Sequence, residues 1–156
     1  MTIDHRWIAA HIPHQGSMCL LDRVESWNET AIVCRANSNL LANNPLLYAG
    51  NLGITNGIEY AAQAMAVHGA LLAATCQAPA AGFLISVRNV HWQRQRLDNV
   101  NGELVVRAER LSGNEINIIY NFSLHDADYL LLSGRASVIL DAAGSRTPFV
   151  NQDKTS

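Results

Sequence analysis

Few residues in this chain are placed to do chemistry. Glu59 is the one acid between Ala31 and Cys76, and it stands in the first turn of an apolar, alanine-rich stretch. His14 follows Pro13 in a polar segment ahead of the first extended run. A histidine, with an ordinary pKa of about 6.5, is mostly neutral at pH 7 and can take a proton. A carboxyl group gives one up usefully only where burial lifts it above its ordinary range near 4.3. Together the two residue types suit general acid–base work, in which a proton leaves one atom and another arrives elsewhere. Gln63, one helical turn beyond Glu59, is spaced to orient that carboxyl or a substrate hydroxyl. Each has a plain structural alternative. Asn56-x-x-Glu59 approximates a capping box with Asn56 as N-cap, His14 can be a turn residue, and Gln63 an ordinary polar helix position. His11, three residues from His14, competes for the same place. His68 falls on the other side of the helix from Glu59 and reads as a hydrogen-bonded core residue, and His91 lies at a strand end beside Trp92. The six histidines form no HxxxH or His/Cys cluster, so neither a metal nor another cofactor is implied.

Two further groups bear on binding. A helix start offers backbone N–H groups that can polarise a carbonyl oxygen, and Gly57, with Gly50 and Gly53 in the loop before it, would admit a ligand close to the backbone. Turn geometry alone also explains these glycines. Arg88, Arg94 and Arg96 concentrate positive charge in a chain of formal net charge −2, as an acidic, phosphate-bearing partner would require. The alternative is that they are solvated strand residues paired with nearby acids. Asp22 and Arg23 read as a structural ion pair.

The elements that must hold these residues can be read from period and punctuation. At 156 residues, 49% hydrophobic and 15% charged, the chain suits one globular domain. Its slightly acidic balance argues against phosphate-led nucleic-acid binding, and no apolar run approaches the roughly 20 residues of a membrane span. The opening MTIDHRWIAA does not read as a secretory signal. Cys19, Cys34 and Cys76 are odd in number and far apart, which suits reduced thiols in the cytoplasm. A short helix or turn over 5–16 closes at Pro13. Strands are expected over 18–27 and 29–37, then a long loop over 38–53. The proline-free stretch 55–76 is apolar nearly all round, which predicts a buried helix of roughly 30 Å. From Phe83 onward the period falls to two, in four runs separated by turns at Asp98–Gly102, Ser112–Asn114 and Asp126–Asp128. Two strands, one helix and four strands make an α+β domain over 1–141, an antiparallel sheet around a single helix, with 142–156 as a C-terminal tail. Open sheet edges make a dimer the default.

This order of elements resembles the hot-dog fold, and two motifs narrow the resemblance. Pro13-His14-Gln15-Gly16-Ser17-Met18-Cys19-Leu20-Leu21-Asp22-Arg23-Val24 is similar to the PHRxPMLLLDRV opening of 3-hydroxyacyl-carrier-protein dehydratases. Gly57-Ile58-Glu59-Tyr60-Ala61-Ala62-Gln63-Ala64-Met65-Ala66 resembles the GxxxEAMAQ helix of the FabA/FabZ group. It is closer still to the GIEYMAQAIA helix of dehydratase-like proteins of aryl-polyene biosynthesis. There is one departure. FabZ-type enzymes carry a histidine in an HFPG loop about fourteen residues before the helix glutamate, where this chain has Asn43-Asn44-Pro45-Leu46-Leu47. The resemblance makes His14 the substitute.

The resemblance implies a dehydratase, or dehydratase-like protein, that converts 3-hydroxyacyl thioesters on acyl carrier protein to trans-2-enoyl thioesters in fatty acid or polyene synthesis. In that reaction His14 removes the C2 proton, Glu59 protonates the departing hydroxyl and helix N–H groups hold the charge on the thioester oxygen. Gln63, Gly57, Gly53 and Gly50 would bind substrate, and Arg88, Arg94 and Arg96 would contact the carrier protein. In related dimers, homomeric or with another hot-dog protein, the two reacting residues come from different subunits. The pair is therefore expected to face each other across a subunit boundary with room for a thioester between them. A non-catalytic hot-dog subunit that binds acyl chains, and a hot-dog thioesterase in which Glu59 activates water, are the alternatives.

Overall fold

The computed structural model describes residues 2–76, 82–114 and 116–140. Helix α1 spans His5–His11, with the Asp4 side chain accepting the Trp7 N–H at its start and Ile8 fully buried. The chain then turns through a short 3-10 segment, Gly16–Met18, where Gly16 takes a φ of +58°, a value that favours glycine.

Strand β1 (Arg23–Trp27) begins five residues later than the pattern suggests. Leu20 and Leu21 are buried as a strand would bury them, but the Leu20 N–H is bonded to the Gln63 side chain instead of a neighbouring strand. After a turn in which Asn28 Oδ1 accepts three donors comes β2 (Ala31–Ala36). Its inward set of Ile32, Cys34 and Ala36 is buried, and burial pushes the Cys34 thiol up to about 12. The loop that follows contains a 3-10 turn at Ser38–Leu40 and leads through a second at Ile54–Asn56 into helix α2 (Gly57–Cys76).

The rest of the sheet is β3 (Gly82–Trp92), β4 (Leu104–Gly113), β5 (Asn117–Asp126) and β6 (Tyr129–Leu140). All pairs are antiparallel, in the order β1-β2-β4-β5-β6-β3. Cys34, Val106, Leu124 and Leu132 fall in register across four strands and form an apolar row facing α2. Alanine-rich α2 lets the sheet close around it, with Tyr60, Ala61, Ala64 and Val67 fully buried. The fit is tightest at Gly57, where a Cβ would stand 2.6 Å from Leu132 Cδ2 and 3.0 Å from Leu124 Cδ2. The helix start is thus pressed against the sheet, in the arrangement the α+β pattern predicts. The expected tail lies outside the described residues.

His68 is the buried polar group on the far side of α2. Tyr120 Oη lies 2.7 Å from its Nδ1 and the Asn28 carbonyl 2.8 Å from its Nε2. Burial lowers the His68 pKa, so the ring is neutral: Nε2–H donates to Asn28 and Nδ1 accepts from Tyr120. It is the core histidine the spacing suggested.

Candidate active site

The segment after α1 and the first turn of α2 meet. His14 Nε2 lies 2.9 Å from Glu59 Oε1, with the side chains 26% and 34% exposed. The contact is made within one chain, and at that distance nothing fits between the two groups. The space expected between the two groups is therefore corrected for the free chain. The reason lies in Gln63. Fully buried on α2, it accepts the Leu20 N–H on Oε1 (2.9 Å) and donates from Nε2 to the Met18 carbonyl (2.7 Å) and to Glu59 Oε1 (3.1 Å). One side chain thus clasps the 18–20 segment onto the helix and steadies the carboxylate. Gly16 supplies the bend that brings His14 back over α2.

The second nitrogen of His14, Nδ1, is buried and has no hydrogen-bond partner among the described residues. Behind the pair, Ser38 Oγ donates to the Leu20 carbonyl (2.8 Å) and lies 2.7 Å from Tyr60 Oη, which also receives Asn44 Nδ2 at 3.1 Å. Burial raises the Tyr60 pKa, so its phenol stays protonated. Sequence reasoning missed this Tyr60–Ser38–Asn44 network. The available signal was a tyrosine beside Glu59 in an alanine-rich helix.

Other candidates fall elsewhere. His11 stacks on Trp7, ring centroids 3.8 Å apart, and its Nδ1 lies 2.7 Å from the Trp7 carbonyl, so it does not join the pair. His91 is exposed on β3. The Gly57 N–H is already bonded to the Ile54 and Thr55 carbonyls, because the preceding 3-10 turn extends the helix. It is not a free oxyanion donor, and Gly57 serves packing. Asn56 does not cap with its oxygen; its Nδ2 donates back to the Gly53 carbonyl. Gly50, at φ +76°, follows Ala49 at φ +51° in the tight turn between Tyr48 and Asn51, while Gly53 forms a bridge with Arg96.

The arginines divide likewise. Arg96 is held by Asp98, whose carboxyl that guanidinium lowers to about 2. Arg94 lies over the Tyr129 ring, 5.2 Å from its centre, and Arg88 sits opposite Arg135 between β3 and β6. Arg23 pairs with Glu103 at 2.8 Å and not with Asp22, whose Oδ2 accepts the Asn37 N–H.

One chain of the dehydratase heterocomplex ApeI:P from Xenorhabdus doucetiae superposes with a TM-score of 0.77 at 20% identity, covering 87% of this chain and 91% of that one. Zebra fish thioesterase superfamily member 2 gives 0.63 at 13% identity (88% and 95% covered). A thioesterase from Haemophilus influenzae gives 0.60 at 12% (81% and 82%). At these identities the likeness establishes the hot-dog fold. A search of curated proteins found no match. A family model described as ApeP dehydratase matches residues 6–146, which takes in α1, the His14 segment, α2 and all six strands, and the chain belongs to this ApeP-like family of hot-dog dehydratases.

Proposed function

We propose that this chain is a dehydratase acting on 3-hydroxyacyl thioesters carried by acyl carrier protein, releasing water and a trans-2-enoyl thioester in fatty acid or polyene synthesis in the cytoplasm. The observation that carries the reading is the His14–Glu59 contact, within a chain of a dehydratase family. Between them these side chains handle the proton taken from C2 and the proton given to the C3 oxygen.

A second hot-dog chain, identical or related, belongs to the same reading. The ApeI:P neighbour is a heterocomplex, and among the described residues β3 has β6 on one side and no strand on the other. Leu84, Ile85 and Trp92 stand 42%, 53% and 48% exposed along that strand. An open, apolar edge of this kind favours pairing with another chain. Arg88 and Arg94 remain candidates for carrier-protein contact, and Arg96 is the weakest because Asp98 already holds it.

One observation favours a second reading. The HFPG-type histidine is absent, and the direct contact leaves no gap for substrate between the two side chains, as a non-catalytic, acyl-binding subunit would tolerate. The test is to give the purified full chain, with any hot-dog partner that co-purifies, a 3-hydroxyacyl carrier protein. Loss of one water with absorbance of a conjugated enoyl thioester supports the dehydratase. Free thiol without enoyl product would select a thioesterase, and neither product a binding subunit.

A further inference from the structure

The outer face of the sheet, turned away from α2, carries a cavity of about 360 Å³ spanning β4, β5, β6 and β3. Strand register builds its walls. Glu109, Asn121, Arg135 and Arg88 stand opposite one another across the four strands, and Arg107, Ser123, Ser133 and His91 form the next outward row. Between the two rows β3 bulges, so that Asn89 and Val90 fall where β6 offers only Gly134. Val90 packs against the core, while Asn89, at φ +54°, lines the cavity. Asparagine tolerates that left-handed backbone better than most residues, and bulges of this kind re-aim a side chain. The floor at Gly134 is held from beneath, since a Cβ there would stand 2.5 Å from Phe122 Cζ.

The lining is polar and its surroundings are positively charged. Arg135 donates from Nε to Asn121 Oδ1 at 3.3 Å, and Arg88 lies directly opposite it, where like charges repel. Among the described residues Arg88, Arg107 and Arg135 form no ion pair, whereas Arg23, Arg35 and Arg96 each hold a carboxylate. His125 lies on the same face, its Nε2 2.9 Å from Ser123 Oγ. Its pKa is lowered by burial and then by Arg107, with Asp128 opposing. Glu109 is the one carboxylate in the two rows, so their three guanidinium groups leave an excess of two positive charges. A ligand carboxylate would offset half of that excess. A phosphate monoester, at roughly −1.5 to −2 near pH 7, offsets nearly all of it, and its oxygens match the planar arginine fork. The cavity falls at the lower end of the roughly 300–1,000 Å³ of ligand sites, which leaves room for more than a bare anion. Asn89, Ser133 and Glu109 offer donors and acceptors to hydroxyl groups there.

We propose that this outer-face cavity binds a small hydroxylated phosphate ester, with Arg135 and Arg88 holding the phosphate and Asn89, Ser133 and Glu109 the hydroxyl groups. The site lies across the sheet from α2 and the His14–Glu59 pair, and it does not depend on the dehydratase reading. A second chain paired along the β3 edge extends the sheet in its own plane and leaves this face open. A phosphate on the arm of a carrier protein presents the same group, and the experiment separates the two sources.

The test is calorimetric titration of the full-length protein with ribose 5-phosphate, ribose and inorganic phosphate, alongside nitrogen-15 NMR of the Asn89, Gly134 and Arg135 amides. Ribose 5-phosphate should bind saturably with a Kd below about 1 mM and shift those three amides together. Inorganic phosphate should bind at least about tenfold more weakly, and ribose not at all. Arg135→Gln, an exposed substitution, should weaken ribose 5-phosphate at least about tenfold. Ser133→Leu, which fills the cavity from an outward position, should abolish binding. His14→Asn should bind ribose 5-phosphate as the wild type does, so an absence of enoyl product refutes the dehydratase reading without touching this site. Binding of none of the probes, or binding that Arg135→Gln leaves unchanged, overturns the site. Equal affinity for inorganic phosphate overturns the ester assignment. Shifts of the same amides with a phosphopantetheine-bearing carrier protein, and with no free ester, also overturn it and place the phosphate on the carrier.

Discussion

At the scale of single residues, chemistry and structure separate cleanly among the histidines. His14 touches Glu59, His11 is spent on the Trp7 ring, and His68 is buried in the core. His14→Asn should therefore lower kcat by about a hundredfold or more while the protein melts near the wild-type temperature, and His11→Ala should leave the rate unchanged. Steady-state enoyl formation and a thermal melt check both. His68 makes a different prediction. Its folded pKa lies below the unfolded value near 6.5, so the unfolded chain binds more protons on acidification. Stability should fall as pH drops below about 6.5, with a slope of at most about 1.4 kcal/mol per pH unit from this group. His125, also lowered by burial, acts in the same sense. Denaturant unfolding of His68→Gln should show a shallower acid slope than the wild type. His14, Glu59 and Gln63 were legible in the sequence because their motifs are local. The Gln63 grip on Met18 and Leu20 was not, since it joins residues more than forty positions apart.

At the scale of elements, the long helix and the four later strands followed from period alone, because small apolar residues at helical spacing and strict alternation leave little choice. The start of β1 did not. Leu20 and Leu21 carry a strand-like burial pattern, yet their segment is held by a side chain of α2 and by Ser38. Gly57 looked like a place for a ligand and is a place for Leu132. Gly57→Ala should cost about 1–3 kcal/mol, since the added methyl must displace Leu132 and Leu124 in a packed core. Chemical denaturation measures this, and an unchanged midpoint would show that the helix start moves freely. Tyr60→Phe should cost about 1 kcal/mol from the lost bonds to Ser38 and Asn44, read in the same way.

At the scale of the whole molecule, the sheet packs around its helix and among the described residues ends at β3, whose exposed Leu84, Ile85 and Trp92 were visible in sequence only as an alternating strand. Edge position depends on strand order, which period does not report. Ile85→Lys should leave the fold intact and weaken association, seen as a lower mass in sedimentation.

The account depends most on the reacting pair residing within one chain. Mixing separately inactive His14→Ala and Glu59→Ala proteins, with subunits allowed to exchange, tests this directly. The mixture is expected to stay inactive, because no exchanged pair restores both groups to one chain. Recovery of a sizeable fraction of wild-type turnover would show that the imidazole and the carboxylate act across subunits and would contradict it.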